Sequence, residues 1–174
     1  MSFKPELIDI YKNINDMVRF GEAKNSGFIA LNVGMIVTIF VNYYKLTEYI
    51  FPIGLIAAAS MFCLAIITSI SSLFPTTENK IMDKNILSNP NLYFFGDLAQ
   101  LDLELFTKFM REDDPEFTPS KMQEDLINQI LINSRIALGK FKMFKFSVTF
   151  TVLGISIVAV SFLGKGAVKM IMSV

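Results

Sequence analysis

The chain has 174 residues, about half of them apolar, and it carries 16 basic and 16 acidic side chains. It contains no His and one Cys, which excludes Ser-His and Cys-His dyads, His-based zinc sites and internal disulfides. Balanced charge argues against nucleic-acid binding, because such domains usually carry an excess of Lys and Arg. No P-loop or dinucleotide glycine motif is present either. We therefore expect no enzyme, no metal site and no cofactor.

The first predicted element lies in residues 1–25. Pro5 suits the first turn of a helix, and apolar residues recur at helical spacing from Leu7 to Val18. This pattern predicts an amphipathic helix that continues directly into the apolar segment that follows.

Three apolar segments are each close to the roughly 20 residues that a helix needs to cross a bilayer. They comprise residues 26–44, 50–74 and 144–163, and Lys145 is their only charge. Helices buried in a soluble bundle usually keep a charged face over this length, and these segments have none. The sequence therefore predicts an all-α integral membrane protein with a hairpin of spans at 26–74 and a third span at 144–163.

Polar and small residues inside the spans predict helix packing. Asn32 lies within the first span, where an unpaired amide is costly, so it should face another helix or a water-filled path. Gly54 and Ala58 in the second span form a small-xxx-small pair, which favours close helix association within or between chains.

The basic residues predict the orientation of the spans. Cytoplasmic ends of spans carry an excess of Lys and Arg. Such residues precede the first and third spans, namely Arg19, Lys24, Arg135, Lys140 and Lys142. We therefore expect residues 1–25 and 75–143 to be cytoplasmic, and residues 164–174 to form an extracytoplasmic tail.

Capping signals predict two helices within residues 75–143. Asp102 is placed to cap a short helix that reaches about Arg111. Ser120 followed by Gln123 is a capping-box pattern, which indicates that a long helix begins there and continues as a stalk into the third span.

Two local features have alternative interpretations. The rings of Phe94 and Phe95, beside Gly96, either stack on a nucleotide base or dock this loop onto the helices or the bilayer interface. The basic residues Arg135 and Lys140 either hold phosphate oxygens or are the positive residues expected beside a span.

Three blocks of sequence resemble one family, the membrane effectors of Pycsar anti-phage defence, which are encoded beside a cyclase that makes a cyclic pyrimidine monophosphate. The first block runs from Glu22 through Lys24 and Gly27 to Asn32. The second is Asn91-Leu-Tyr-Phe94-Phe95-Gly96-Asp97, and the third runs from Gln129 through Asn133, Ser134, Arg135 and Lys140 to Phe141.

The resemblance implies an effector in the bacterial inner membrane, with a cytoplasmic N-terminus, that responds to a cyclic nucleotide and disrupts membrane integrity to stop growth in abortive infection. A cyclic pyrimidine monophosphate is the implied signal, and a cyclic dinucleotide is the alternative. The implied partners are lipid and the nucleotide. The implied ligand-binding residues are Lys24, Asn91, Phe94, Phe95, Gln129, Asn133, Arg135 and Lys140.

Two further expectations concern assembly and an alternative function. Three spans enclose little space, so we expect a homo-oligomer. The alternative function is a constitutive membrane scaffold or channel subunit whose cytoplasmic insert binds a protein partner.

Overall fold

The computed structural model describes residues 5–74 and 90–173. The first part of the predicted insert, residues 75–89, lies outside the described residues, as do residues 1–4 and 174. The described residues form helices and no strands, which confirms the all-α prediction. In chain order these helices are α1 (Pro5–Val41), α2 (Tyr43–Leu46), α3 (Pro52–Leu73), α4 (Phe95–Leu98), α5 (Leu103–Asp113) and α6 (Lys121–Met172).

The chain divides into two compact units. Unit 1 comprises residues 1–22 and 75–141, and unit 2 comprises residues 23–74 and 142–174. Helices α1 and α6 each contribute residues to both units.

The core of unit 1 is built from apolar faces of α1, α5 and α6, together with Leu98 of α4 and two residues between helices, Leu101 and Phe117. On α1 the apolar face has the spacing of an amphipathic helix, so its apolar side chains all face the same way. Phe106 of α5 is fully buried among them. The core residues are Leu7, Ile10, Ile14, Leu98, Leu101, Phe106, Met110, Phe117, Ile127, Ile130 and Leu131. The N-terminal segment and residues 90–141 therefore share one core within a single chain.

Both predicted caps are confirmed. The Asp102 carboxylate accepts a hydrogen bond from the Leu105 backbone N–H at 2.9 Å, which satisfies one of the free donors in the first turn of α5. At the start of α6, the Ser120 N–H donates to Gln123 Oε1 at 2.8 Å, and the Gln123 N–H donates to Ser120 Oγ at 3.4 Å. This reciprocal pair is a capping box.

Within the described residues, three helices are long and apolar enough to cross a membrane: α1, α3 and α6. Helix α1 ends at Val41, before the predicted end of the first span at residue 44. Helix α6 continues to Met172, well past the predicted end of the third span at residue 163. The predicted spans were defined by apolar composition. The helix ends are defined by backbone hydrogen bonds, so the two sets of ends need not coincide.

In unit 2 the segments of α1 and α6 run parallel. The Phe28 and Phe144 rings meet edge to face with centroids 4.9 Å apart, and further along both helices Thr151 Oγ1 donates to Asn32 Oδ1 at 3.0 Å. A second hydroxyl, Ser147 Oγ, donates to the Ala65 carbonyl of α3 at 2.9 Å. Asn32, Thr151 and Ser147 are buried, so unit 2 has a polar seam inside an otherwise apolar bundle.

Helix α3 runs antiparallel to α6. As residue numbers increase along α3, the contacted residue numbers on α6 decrease. The pairs are Gly54 with Ser161, Phe62 with Gly154, and Ser69 with Ser147. Glycine is required at the first two places because an added Cβ would overlap the facing side chain. Small and hydroxyl residues therefore set the close approach of these two helices.

Candidate functional site

Four aromatic rings of unit 1 form a continuous row. The Phe95 ring stacks on the Phe141 ring, with centroids 5.0 Å apart and planes at 19°. Phe20 of α1 lies 6.2 Å from Phe141 on one side, and Phe94 lies 4.9 Å from Phe95 on the other. We call Phe20, Phe141, Phe95 and Phe94 the aromatic row. Its Phe94 end is 47% exposed, so an incoming ring can reach it.

Asn91 shapes the turn that presents Phe94 and Phe95. Its side-chain Oδ1 accepts from the Tyr93 N–H at 2.9 Å, and its carbonyl accepts from the Phe94 N–H at 3.0 Å. Its own N–H donates to Asp97 Oδ2 at 2.9 Å. The structure thus places Asn91 as the organiser of the turn.

Gly96 makes room for a ring of its own chain. A Cβ added there would lie 2.8 Å from Phe94 Cζ and would overlap other atoms of the same ring. The Phe94 ring therefore fills the space beside Gly96, and its other face belongs to the exposed surface of the turn, as does Tyr93.

Lys140 is a buried cation of unit 1. Its Nζ lies 3.1 Å from Glu22 Oε1, and the Lys140 side chain is 7% exposed whereas that of Glu22 is 50% exposed. Gly21 allows this close approach, because a Cβ there would lie 3.1 Å from Lys140 Cβ and 3.8 Å from Phe141 Cε2. Lys140 and Phe141 therefore both approach α1 at Gly21, next to Glu22.

Arg135 is directed at backbone carbonyls. Its Nε donates to the Ala99 carbonyl at 3.2 Å and its Nη2 to the Leu101 carbonyl at 2.8 Å. Burial lowers the pKa of the Arg135 guanidinium, and the nearby Asp102 carboxylate partly opposes this shift. In this arrangement Arg135 fixes the segment between α4 and α5 onto α6.

Gln129 and Asn133 lie elsewhere on α6. Gln129 Nε2 donates to Asn133 Oδ1 at 3.3 Å, and Asn133 Nδ2 donates to Asn15 Oδ1 of α1 at 2.7 Å. Gln129 is about 16 Å from Lys140 along the helix axis at 1.5 Å per residue. The structure therefore separates this amide pair from the Lys140 site, and the amides link α6 to α1.

Lys24 belongs to unit 2. Its Nζ lies 5.2 Å from the centroid of the Phe144 ring, which is within cation–π distance. Of the ligand residues predicted from sequence, the structure groups Asn91, Phe94 and Phe95 in one turn, and Lys140 directly precedes Phe141, an inner ring of the aromatic row.

The predicted packing residues of the spans are buried in unit 2. Asn32 Nδ2 donates to the Phe28 carbonyl at 2.8 Å, so the amide uses both its donor and its acceptor side, the latter towards Thr151. Gly54 faces Ser161, and Ala58 is fully buried.

Sequence reasoning missed four residues of the site: Phe20, Gly21, Glu22 and Phe141. Glu22 and Lys140 are separated by more than a hundred residues, and their contact depends on the register between α1 and α6. A local signal did exist for Phe141, which directly follows Lys140 on the helix.

A chain whose described residues are all-α, with three membrane-length helices and a division into two helical units, has the features of a multi-pass membrane protein. Residues 6–165 match the family of the Pycsar effector protein domain. The chain belongs to this family of transmembrane effectors of antiviral defence. No curated protein and no solved structure matches it.

Proposed function

We propose that this protein is a non-enzymatic anti-phage effector of the bacterial inner membrane that binds a cyclic pyrimidine monophosphate in unit 1 and then disrupts membrane integrity. Membership of the Pycsar effector family supports the biological role. The observation that carries the ligand assignment is the buried ammonium of Lys140 beside the stacked Phe95 and Phe141 rings.

The aromatic row supplies the surface for the base. Stacking of a base on an aromatic side chain is worth about 1–3 kcal/mol and tolerates any base. Phe94 and Phe20, the two end rings of the row, are both about half exposed, and Phe95 continues the row inwards from Phe94. The base of the nucleotide stacks on this pair, and Asn91 holds the turn that carries both rings.

Lys140 supplies the charge for the phosphate. A cyclic monophosphate carries one negative charge, and a lysine ammonium binds it as a point charge with hydrogen bonds. In this proposal Arg135 positions the loop through its carbonyl contacts, and the Asn133–Asn15 pair maintains the α1–α6 register. Lys24, which lies over the Phe144 ring in unit 2, does not contact the ligand in this proposal.

The membrane step uses the continuity of α1 and α6, which each contribute residues to both units. With the N-terminus cytoplasmic, unit 1 is exposed to a soluble nucleotide. Ligand binding changes the contacts between these helices, and the change is carried along their backbones to the polar seam of Asn32, Ser147 and Thr151. Several copies of the chain then reassociate in the membrane and make it permeable.

Co-expression with a pyrimidine cyclase tests this proposal. Cells carrying the effector and an active cyclase should stop growing and lose membrane potential, and cells with an inactive cyclase should grow. Lys140→Met should abolish the response at equal membrane levels, whereas Lys142→Met, which removes an exposed charge two residues further on, should keep it.

Two outcomes would contradict the proposal. Growth arrest that does not depend on the cyclase would show that the cyclic nucleotide does not activate the effector. Normal growth in every combination, with the protein inserted, would favour the alternative of a constitutive scaffold or channel subunit.

A further inference from the structure

Unit 2 contains a groove between the end of α1, the short helix α2 and the first half of α3. Its volume is about 810 Å³, which lies within the range of about 300–1,000 Å³ that is typical of ligand pockets. Leu55 lines the groove and is buried, whereas the lining residues Phe40 and Tyr44 are 83% and 88% exposed. The groove is therefore open on one side, where a ligand can enter from the surroundings of the helices.

The groove has the depth of one leaflet of a bilayer. On α3 its lining runs from Leu55 to Leu64, which is about 14 Å along the helix axis at about 1.5 Å per residue. The hydrocarbon core of a bilayer is about 30 Å thick, so one leaflet contributes about 15 Å. Because α3 begins at Pro52, the groove extends from the connector of residues 42–51 to the middle of this helix. An acyl chain of one leaflet covers the same depth.

The polarity of the groove changes from one end to the other. Along α3 the Ser60 hydroxyl donates to the Ile56 carbonyl at 3.0 Å, so this polar group is satisfied within its own helix. At the connector end lie Tyr43 and Tyr44, whose rings meet edge to face with centroids 5.8 Å apart. Tyrosine is enriched at the level of the lipid headgroups. The groove is thus apolar along its depth and polar at its connector end, as a phospholipid is.

Positive charge surrounds the connector. Lys45 lies within it and is exposed. Two lysines of α6 also contact the connector: Lys165 donates to backbone carbonyls there, and Lys169 Nζ lies 5.4 Å from the centroid of the Tyr49 ring. Glu48 is the only acidic residue of the connector. Because an ammonium binds phosphate as a point charge, this end of the groove favours a headgroup with net negative charge.

We propose that the groove binds an acyl chain of an anionic phospholipid, and that the Lys45 ammonium binds the phosphate of its headgroup. Lys45 lies on the same short helix as the groove residues Tyr43 and Tyr44, whereas Lys165 is engaged with backbone carbonyls. This inference goes beyond the proposed function, because it concerns unit 2 and requires no cyclic nucleotide. The protein then recognises a lipid of the membrane in which it acts.

Photo-crosslinking tests the inference on the full chain in liposomes. The probe is a phosphatidylglycerol that carries a diazirine in one acyl chain, and labelled peptides are identified by mass spectrometry. Ser60→Phe fills the groove, and Ser71→Phe is the matched control on the same helix. Both serines are exposed, and each hydroxyl donates to the carbonyl four residues earlier. Lys45→Gln removes the charge proposed to bind the headgroup.

In the parent, labelling should concentrate on residues 55–64 and should fall several-fold in Ser60→Phe but not in Ser71→Phe. Unlabelled phosphatidylglycerol should compete about fivefold better than phosphatidylcholine, which has no net charge, and this factor corresponds to about 1 kcal/mol. In Lys45→Gln the two lipids should compete equally, because the headgroup charge is no longer recognised.

Three results would overturn the inference. The first is labelling spread evenly over the apolar surfaces of α1, α3 and α6, or labelling that Ser60→Phe leaves unchanged. The second is equal competition by the two lipids in the parent. The third uses Cys63, which lines the groove and is the single cysteine of the chain. Disulfide-linked dimers formed through Cys63 on oxidation of the same liposomes would place a second copy of the chain at the groove instead of a lipid.

Discussion

Replacing Arg135 by Ala should loosen the segment between α4 and α5. The guanidinium donates to the carbonyls of Ala99 and Leu101 at 3.2 and 2.8 Å. Hydrogen bonds from a charged group are worth about 1.5–3 kcal/mol each, but the site is only partly buried and water can replace part of this. We therefore expect a loss of about 2 kcal/mol in the free energy of local opening, which corresponds to about a 30-fold larger opening constant.

Amide hydrogen exchange measures this opening directly. The N–H groups of Ala99 and Leu101 are hydrogen-bonded to the Phe95 and Leu98 carbonyls, so their exchange reports whether the segment stays closed. Arg135→Ala should accelerate exchange there about 30-fold, and Arg135→Lys should fall between it and the parent. Lys142→Ala removes an exposed charge seven residues further on and should change nothing. Unchanged amide exchange in Arg135→Ala would refute the anchoring role. It would then favour the interpretation that the Arg135 guanidinium binds the phosphate of the ligand.

Three further substitutions have defined outcomes. Phe106→Ala removes a fully buried ring and should cost about 3–5 kcal/mol, seen as faster proteolysis of unit 1 in micelles; parental resistance would mean that this core does not hold the unit together. Thr151→Val deletes the hydrogen bond to Asn32 and should cost about 1 kcal/mol in an SDS unfolding titration, and an unshifted midpoint would show that the bond adds no stability. Gly54→Ile forces α3 away from Ser161 and should cost about 1–3 kcal/mol in the same titration; an unchanged midpoint would contradict the close packing.

Local signals predicted the features that depend on neighbouring residues. The helix starts at Asp102 and Ser120 follow from side chains that bond to N–H groups three residues away, so no knowledge of the tertiary structure is needed. The three membrane-length helices likewise follow from composition alone, because the bilayer demands long apolar segments.

Features that depend on the register between distant helices could not be predicted. The sequence shows that Arg135 and Lys140 are charged, but it does not show that one faces backbone carbonyls and the other faces Glu22. Both outcomes depend on which residues of α1 and α4 lie opposite each turn of α6. The same holds for Asn133, whose partner Asn15 is 118 residues away.

The most direct test of the central claim is leakage from liposomes that contain the purified protein. Dye and ion release is followed while cyclic UMP, cyclic CMP and cyclic dinucleotides are added in turn. The account predicts that a cyclic pyrimidine monophosphate releases the dye from vesicles carrying the parent protein and not from vesicles carrying Lys140→Met. Vesicles that stay sealed with every nucleotide, with the parent protein folded and inserted, would contradict it.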